Sequence, residues 1–196
     1  PGSWEAIQGA AACALAAASW TLYVVVYTLL KTRSTWQTPI GALAGAVPPL
    51  LGAAAVGQPA HPAALALFAV VFFWQLPHAM AIAWLYRDEF RAAGVRVATV
   101  VDSSGRCAGW LAVAGAIGAL PSGIAVTMIV AGAAPGAAWS GRLAVGATVV
   151  LGLVYLAAAA GFVRRRDDRA ARRLLRVSLG YLPALVLLLI LERCGG

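Results

Sequence analysis

FWQLPHAMAIAWLYRDEFRAAG, at residues 73–94, joins a long apolar run to a charged end. Its first half is apolar except for Gln75, Pro77 and His78, and its second half carries the charged run YRDEFR at 86–91. A hydrocarbon core of ~30 Å needs about 20 helical residues. The pattern therefore predicts one helix that runs without a break from a membrane interior to its surface. Such a helix could hold an apolar substrate in its first half while charged groups act in its second.

Similar charge-free windows occur elsewhere in the chain, which has 196 residues, of which 62% are hydrophobic and 11% charged. A mean hydropathy of +0.84 does not describe a soluble surface. We predict an all-α, polytopic transmembrane helix bundle in which residues 1–196 form a single domain. The six predicted spans are residues 6–30, 40–57, 62–86, 108–131, 143–163 and 174–191.

The net charge of +8 has a topological pattern, because 13 of the 15 Lys and Arg residues follow the first, third and fifth spans. The opposite loops, 58–61 and 132–142, carry only Arg142. This asymmetry argues against nucleic acid as the partner and predicts that the three basic loops face the cytoplasm. The last of them, RRRDDRAARRLLR at 164–176, is explained by topology alone, by contact with acidic membrane lipids or by a short amphipathic helix.

Several prolines and one histidine lie within the predicted spans, where polar or unpaired groups are costly. An intramembrane histidine normally faces a bundle interior or a cavity, so a functional role is favoured for His78. Pro77, directly before it, is expected to kink the helix and open that face. Pro48 and Pro49 remove two backbone donors from the second span, which indicates either a bend around a buried site or a kink that serves packing.

Charged groups at the basic side of the membrane allow two interpretations each. Lys31 and Arg33 follow the first span among hydroxyl side chains, where they either set the topology or clamp a prenyl diphosphate. Asp88 and Glu89 reach the surface after the third span. They either form surface ion pairs with neighbouring arginines or ligate Mg²⁺, which prefers carboxylate and phosphate oxygens.

Four segments together resemble the protoheme IX farnesyltransferases, or heme O synthases, a branch of the UbiA-type intramembrane prenyltransferases. They are YTLLKTR at 27–33, IGALAGAVPPLLG at 40–52, the stretch at 73–94 and ARRLLRVSLGYLP at 171–183. The chain differs at Glu89 and Phe90, where the family has Asp-Tyr, and in the loop that follows. The family has about nine helices and an NxxxDxxxD motif near its start. The resemblance thus implies that this chain corresponds to the last six helices, without the N-terminal three.

The resemblance implies transfer of a farnesyl group from farnesyl diphosphate to a vinyl group of heme B, giving heme O and pyrophosphate. It implies that Glu89 and Asp88 ligate Mg²⁺, and that Lys31, Arg33 and Arg87 hold the diphosphate. The expected location is the cytoplasmic membrane of a bacterium, and the expected downstream partner is heme A synthase.

The remaining implied roles concern the apolar half of the site. His78 is expected to face the porphyrin or the reacting vinyl group. The implied substrate-pocket residues are Phe73, Trp74, Pro48 and Pro49.

Two other functions compete with this one. A prenyltransferase acting on an aromatic acid or quinone precursor would carry a second DxxxD after the third span, and residues 88–92 do not supply it. A non-catalytic membrane or transport protein could use the prolines and His78 as a permeation path, but internal inverted repeats are not evident in the sequence. A heme-binding spectrum without prenyl transfer would favour that second alternative.

Overall fold

Helices are the only regular secondary structure in the residues that the computed structural model describes, which are 3–132 and 138–195. Six segments of it are long and apolar enough to cross a membrane. They confirm the six predicted spans and the all-α polytopic bundle; residues 133–137 of the predicted loop 132–142 lie outside the described residues. The segments are Gly9–Leu30, Gln37–Ala55, Pro62–Leu85, Arg106–Gly132, Gly141–Arg165 and Asp168–Cys194.

The first two spans are interrupted helices. Helix α1 (Ser3–Thr21) continues through a π-helical turn (Leu22–Tyr27) into α2 (Thr28–Leu30), and the second span consists of α3 (Gln37–Gly45) and α4 (Pro48–Ala55). Proline lacks a backbone N–H, so it costs less in a first helical turn than in a helix interior. Pro48 accordingly begins α4, and the bend predicted at the double proline is a break between two helices.

Longer helices make up the rest of the chain, joined by short connections. The segment that follows the third span holds two short helices. The elements are α5 (Pro62–Leu85), α6 (Arg87–Ala92), α7 (Ala98–Val101), α8 (Arg106–Gly132), α9 (Ala138–Arg165) and α10 (Asp168–Gly195).

The prediction that residues 73–94 form one unbroken helix is wrong, because α5 ends at Leu85 and a new helix begins at Arg87. Two of the last carbonyls of α5 accept hydrogen bonds from side chains, where the backbone N–H groups of a further helical turn would otherwise donate. Thr99 Oγ1 donates to the Ala83 carbonyl over 2.7 Å, and Arg87 Nη1 donates to the Trp84 carbonyl over 2.8 Å. Satisfying these carbonyls allows the chain to turn without leaving buried acceptors unpaired.

The basic segment at 164–176 contains a tight turn between α9 and α10. Most of its residues belong to the start of α10. Arg166, with a left-handed φ of 51°, reverses the chain after α9. Asp167 then caps α10, because its Oδ1 accepts from the backbone N–H of Ala170 over 2.7 Å.

Four helices, α5, α8, α9 and α10, pack around a common core, with α10 also packed against α5. Small residues let α8 approach α5 closely, as is usual between membrane helices. A Cβ atom on Gly115 would lie 2.6 Å from Pro77 Cδ, and one on Gly118 would overlap the Phe73 ring. The α1, α3 and α4 helices pack on one another, and α3 and α4 reach this four-helix core through α5.

Candidate active site

A cavity of about 260 Å³ lies at the seam where the N-terminal helices meet α5. Its walls come from the π-helical turn, from α3, from the middle of α5 and from the α6 to α7 segment. Most of the lining is apolar, and a few polar groups converge on it, which is the usual character of a small-molecule site. The polar and aromatic lining residues are Tyr23, Tyr27, Gln37, Thr38, Gln75, His78 and Phe90.

His78 is predicted from the sequence to face a cavity, and it lines this one. A hydrogen bond to α10 holds its imidazole ring in place. Its Nδ1 lies 2.9 Å from Ser178 Oγ on α10, while that hydroxyl donates to the Leu175 carbonyl over 2.7 Å. A serine hydroxyl has one proton, so the oxygen accepts from His78 and Nδ1 carries the ring proton. The neutral ring therefore keeps its Nε2 lone pair free for a proton, a metal or another electron-poor centre.

Trp74 holds the histidine ring in position from one helical turn away. The two rings stack with centroids 5.0 Å apart and planes 20° from parallel. The indole Nε1–H donates to the Ser178 carbonyl over 2.7 Å, and Tyr155 on α9 donates its hydroxyl to the Trp74 carbonyl over 2.8 Å. Trp74 thus contacts His78 and α10 and is not among the residues that line the cavity.

Two glutamines in the cavity wall were not singled out from the sequence. Gln37 is 2% exposed and donates to the Lys31 carbonyl over 3.2 Å, while Gln75 donates to the Ala42 carbonyl over 3.3 Å. Gln75 lies within the predicted third span, so the argument that identified His78 would also have found it, whereas Gln37 precedes the predicted second span.

The π-helical turn brings two further missed residues, Tyr23 and Tyr27, to the cavity. Their rings stack at 5.3 Å between centroids. Tyr27 lies against Gly41, where a Cβ would come within 3.2 Å of its ring. Such π turns are rare overall, and those that occur often lie at functional sites. The residue pattern does not predict one here.

Lys31 and the α6 to α7 segment meet at the surface end of the cavity. The backbone N–H of Arg96 donates to the Lys31 carbonyl over 2.7 Å, and Phe90 and Val97 from the same segment line the cavity. The Lys31 side chain is half-buried, and those of Arg33 and Arg96 are exposed. Arg96 is a cation at this place that the sequence did not indicate.

The predicted metal ligands, Asp88 and Glu89, are exposed on α6, beside Phe90. Asp88 pairs with Arg91 over 2.7 Å, one of the two alternatives that the sequence left open. The Glu89 side chain makes no hydrogen bond or ion pair within the described part of the chain. Over residues 3–132 and 138–195, no three His, Cys, Asp or Glu side chains form a group that could hold a metal by themselves.

Arg87, predicted to bind diphosphate, is engaged elsewhere. Its Nη1 lies 3.1 Å from Asp168 Oδ1 at the start of α10, and the guanidinium carbon lies 5.1 Å from the centre of the Trp84 ring. The Trp84 indole donates to the same carboxylate oxygen over 3.0 Å. These contacts tie the end of α5 to α10 and fix where α6 begins.

Like Trp74, the other three predicted pocket residues do not line this cavity. Phe73 packs against Gly118 of α8, Pro48 is exposed at the start of α4, and Pro49 is half-buried beside it. The structure therefore brings together His78 and Trp74 in the bundle, and Lys31 with Arg96, between α6 and α7, at the surface.

Comparison with known proteins gives consistent matches. A model of the UbiA prenyltransferase family matches residues 4–181. The protoheme IX farnesyltransferase of Rhodopirellula baltica is 38% identical over 180 residues, covering 89% of this chain and 61% of that relative. The one of Solibacter usitatus is 33% identical, covering 88% and 56%. The mitochondrial protoheme IX farnesyltransferase of Arabidopsis thaliana is 34% identical, covering 97% and 45%. No solved structure matches the chain.

We predict that Ser178→Ala changes the tautomer of His78. Without the Ser178 oxygen, Nδ1 has no acceptor in its present orientation, so the Nδ1–H form becomes less populated. The ¹⁵N chemical shifts of the ring in histidine-labelled protein measure this population, with His61→Asn to assign the second histidine. Ser122→Ala is the matched control, because that hydroxyl bonds only to the Gly118 carbonyl of its own helix. An Nε2–H tautomer in the unsubstituted protein would contradict the assignment.

Proposed function

The chain belongs to the UbiA prenyltransferase family. From this we propose that it transfers a farnesyl group from farnesyl diphosphate to the terminal carbon of a vinyl group of heme B, with release of pyrophosphate. Water then adds to the carbocation left on the other vinyl carbon and loses a proton, which gives the hydroxyl group of heme O. The chain spans about 60% of the length of the bacterial relatives it matches, so the activity is proposed for the full-length protein. The observation that carries the proposal is His78, which lines an apolar cavity that Phe90 of α6 also lines. The Lys31 carbonyl is bonded to Arg96 beside that cavity.

The acceptor side of the proposed reaction lies around His78. A cavity of about 260 Å³ is smaller than the ~300–1,000 Å³ of sites that enclose a drug-sized ligand, so it suits one vinyl-bearing edge of a porphyrin better than the whole macrocycle. We place that edge beside His78 Nε2. Trp74 and Ser178 fix the ring, so that little reorganisation is needed when positive charge develops on the carbon skeleton.

The diphosphate of the donor is proposed to lie at the surface end, between Lys31, Arg33 and α6. Arg96 is added to this group because its backbone is bonded to Lys31. Cations there would stabilise the negative charge that grows on the leaving diphosphate as the allylic C–O bond breaks. The apolar walls would shield the allylic carbocation from water.

Asp88 and Glu89 are the residues that would hold Mg²⁺. Two exposed carboxylates fit this ion, since Mg²⁺ in such sites usually binds one or two carboxylates, substrate phosphates and waters. When bound, it would supply charge neutralisation at the diphosphate oxygens. Arg87 would act indirectly, because its contacts with Asp168 and Trp84 set the position of α6.

The farnesyl chain is proposed to follow the apolar side of α5. Phe73 and Trp74 lie one turn or more deeper than His78, and Pro48 and Pro49 begin the helix that packs on α5 from the other side. These four residues stay the proposed wall of the prenyl path.

The protein is an integral, multi-pass membrane protein, and its setting is proposed from charge. The basic loops would face the cytoplasm, so the water-soluble diphosphate head group of the donor would approach from that side. A cytoplasmic membrane of a bacterium and delivery of the product to heme A synthase complete the proposal.

We predict that His78→Gln lowers heme O formation by about 100-fold or more, the range typical of losing a positioned polar group at a reacting centre. The product is measured by mass spectrometry with the full-length protein, farnesyl diphosphate and heme B. His61→Asn is the matched control, because His61 caps the other end of α5 and asparagine is a good cap. Full activity of His78→Gln, or absence of heme O from the unsubstituted protein, would refute the proposal.

A second prediction concerns the metal. Glu89→Gln is expected to raise the Mg²⁺ concentration needed for half-maximal turnover by at least about tenfold, whereas Glu89→Asp keeps a carboxylate and shifts it less. Binding of Mn²⁺ in the presence of pyrophosphate, followed by electron paramagnetic resonance, gives a readout that does not depend on turnover. Unchanged Mg²⁺ dependence and Mn²⁺ binding in Glu89→Gln would show that Glu89 is not a ligand.

A further inference from the structure

A second cavity, of about 240 Å³, lies between the end of α9 and the start of α10, away from His78. We call it the arginine cavity. Arg165 from α9 and Arg169, Arg173 and Arg176 from α10 line it. The three α10 arginines recur at helical spacings of four and three residues, so they lie on one face of that helix.

Small residues create the space that these side chains surround. The other lining residues are Ala157, Ala158, Gly161 and Ala170, so larger side chains at these positions would close the cavity. A basic loop that only sets topology needs no such hollow, because the positive-inside effect depends on the number of charges near the membrane.

The arginine cavity has no acidic lining residue within the described part of the chain. The two acidic residues nearest in sequence have other partners. Asp167 accepts from the Ala170 N–H as the cap of α10, and Asp168 accepts from Trp84 and Arg87. Like charges gathered on one face repel one another, and the repulsion is relieved when an anion with several acceptor oxygens binds among them.

The surroundings select the class of anion. The arginines lie where transmembrane helices α9 and α10 reach the basic side of the membrane, and apolar side chains continue from there along the outer surface. Val150 and Val154 on α9 are 60% and 51% exposed, and Leu179 on α10 is 55% exposed. A molecule with a phosphate and long apolar chains would therefore match both surfaces.

We propose that the arginine cavity binds the phosphate of an anionic phospholipid headgroup, with the acyl chains lying along these exposed faces of α9 and α10. Guanidinium groups bind phosphate oxygens in pairs, and several of them hold one phosphate more tightly than scattered surface charges do. The site is separate from the proposed substrate site and does not depend on the proposed reaction.

The test compares two double variants of equal charge in the full-length protein, stripped of lipid in neutral detergent. Arg169→Gln with Arg173→Gln removes two cavity residues. Arg164→Gln with Arg172→Gln is the matched control, since both arginines are exposed in the same segment and neither lines the cavity. Native mass spectrometry counts bound phosphatidylglycerol during a titration, and thermal melting in phosphatidylcholine checks that each variant is folded.

The cavity variant is expected to bind phosphatidylglycerol at least about tenfold more weakly than the unsubstituted protein, and the control variant within about threefold. Equal losses in the two variants would overturn the proposal in favour of general surface attraction. Competition arms with inorganic phosphate and with farnesyl diphosphate distinguish other sources of a phosphate group. Displacement of the lipid by either one at equimolar concentration would overturn the lipid assignment, and binding of phosphatidylcholine as tight as phosphatidylglycerol would do so too.

Discussion

Two hydrogen bonds between α5 and α10, from Trp74 and His78 to the carbonyl and hydroxyl of Ser178, hold the rest of the site in place. A membrane interior offers no water to an indole N–H or an imidazole, so each needs a protein partner. Meeting that need at one residue fixes the rotation of α5. The same rotation turns Pro77 and Phe73 toward Gly115 and Gly118 of α8, and turns His78 toward the cavity beside the N-terminal helices.

Much of the fold could be predicted because membrane spans and basic loops depend on local composition. His78 could be found because a histidine in such a span is costly. The break after Leu85 could not, since it depends on Thr99 and Arg87 reaching back to particular carbonyls. The π-helical turn and the pairing of Arg87 with Asp168, 81 residues away, likewise depend on tertiary contacts that no short pattern contains.

Membership of the UbiA family and the geometry of the site lead to the same division of labour. The bundle side of the cavity is apolar and fixed by hydrogen bonds, whereas the surface side is built from exposed charges on short segments. Rigid elements suit an acceptor that must be oriented, and exposed charges suit a diphosphate that enters and leaves. The arginines between α9 and α10 have a separate proposed role, which is to bind a lipid of the surrounding membrane.

The proposed function requires both substrates to meet in the cavity beside His78. Its most direct test is an experimental structure of the full-length protein with heme B and a non-reactive farnesyl diphosphate analogue. We expect a vinyl-bearing porphyrin edge next to His78 Nε2 and a diphosphate between Lys31 and Glu89. Heme or analogue bound instead in the groove near His61 and Arg193, at the opposite end of α5, would contradict it.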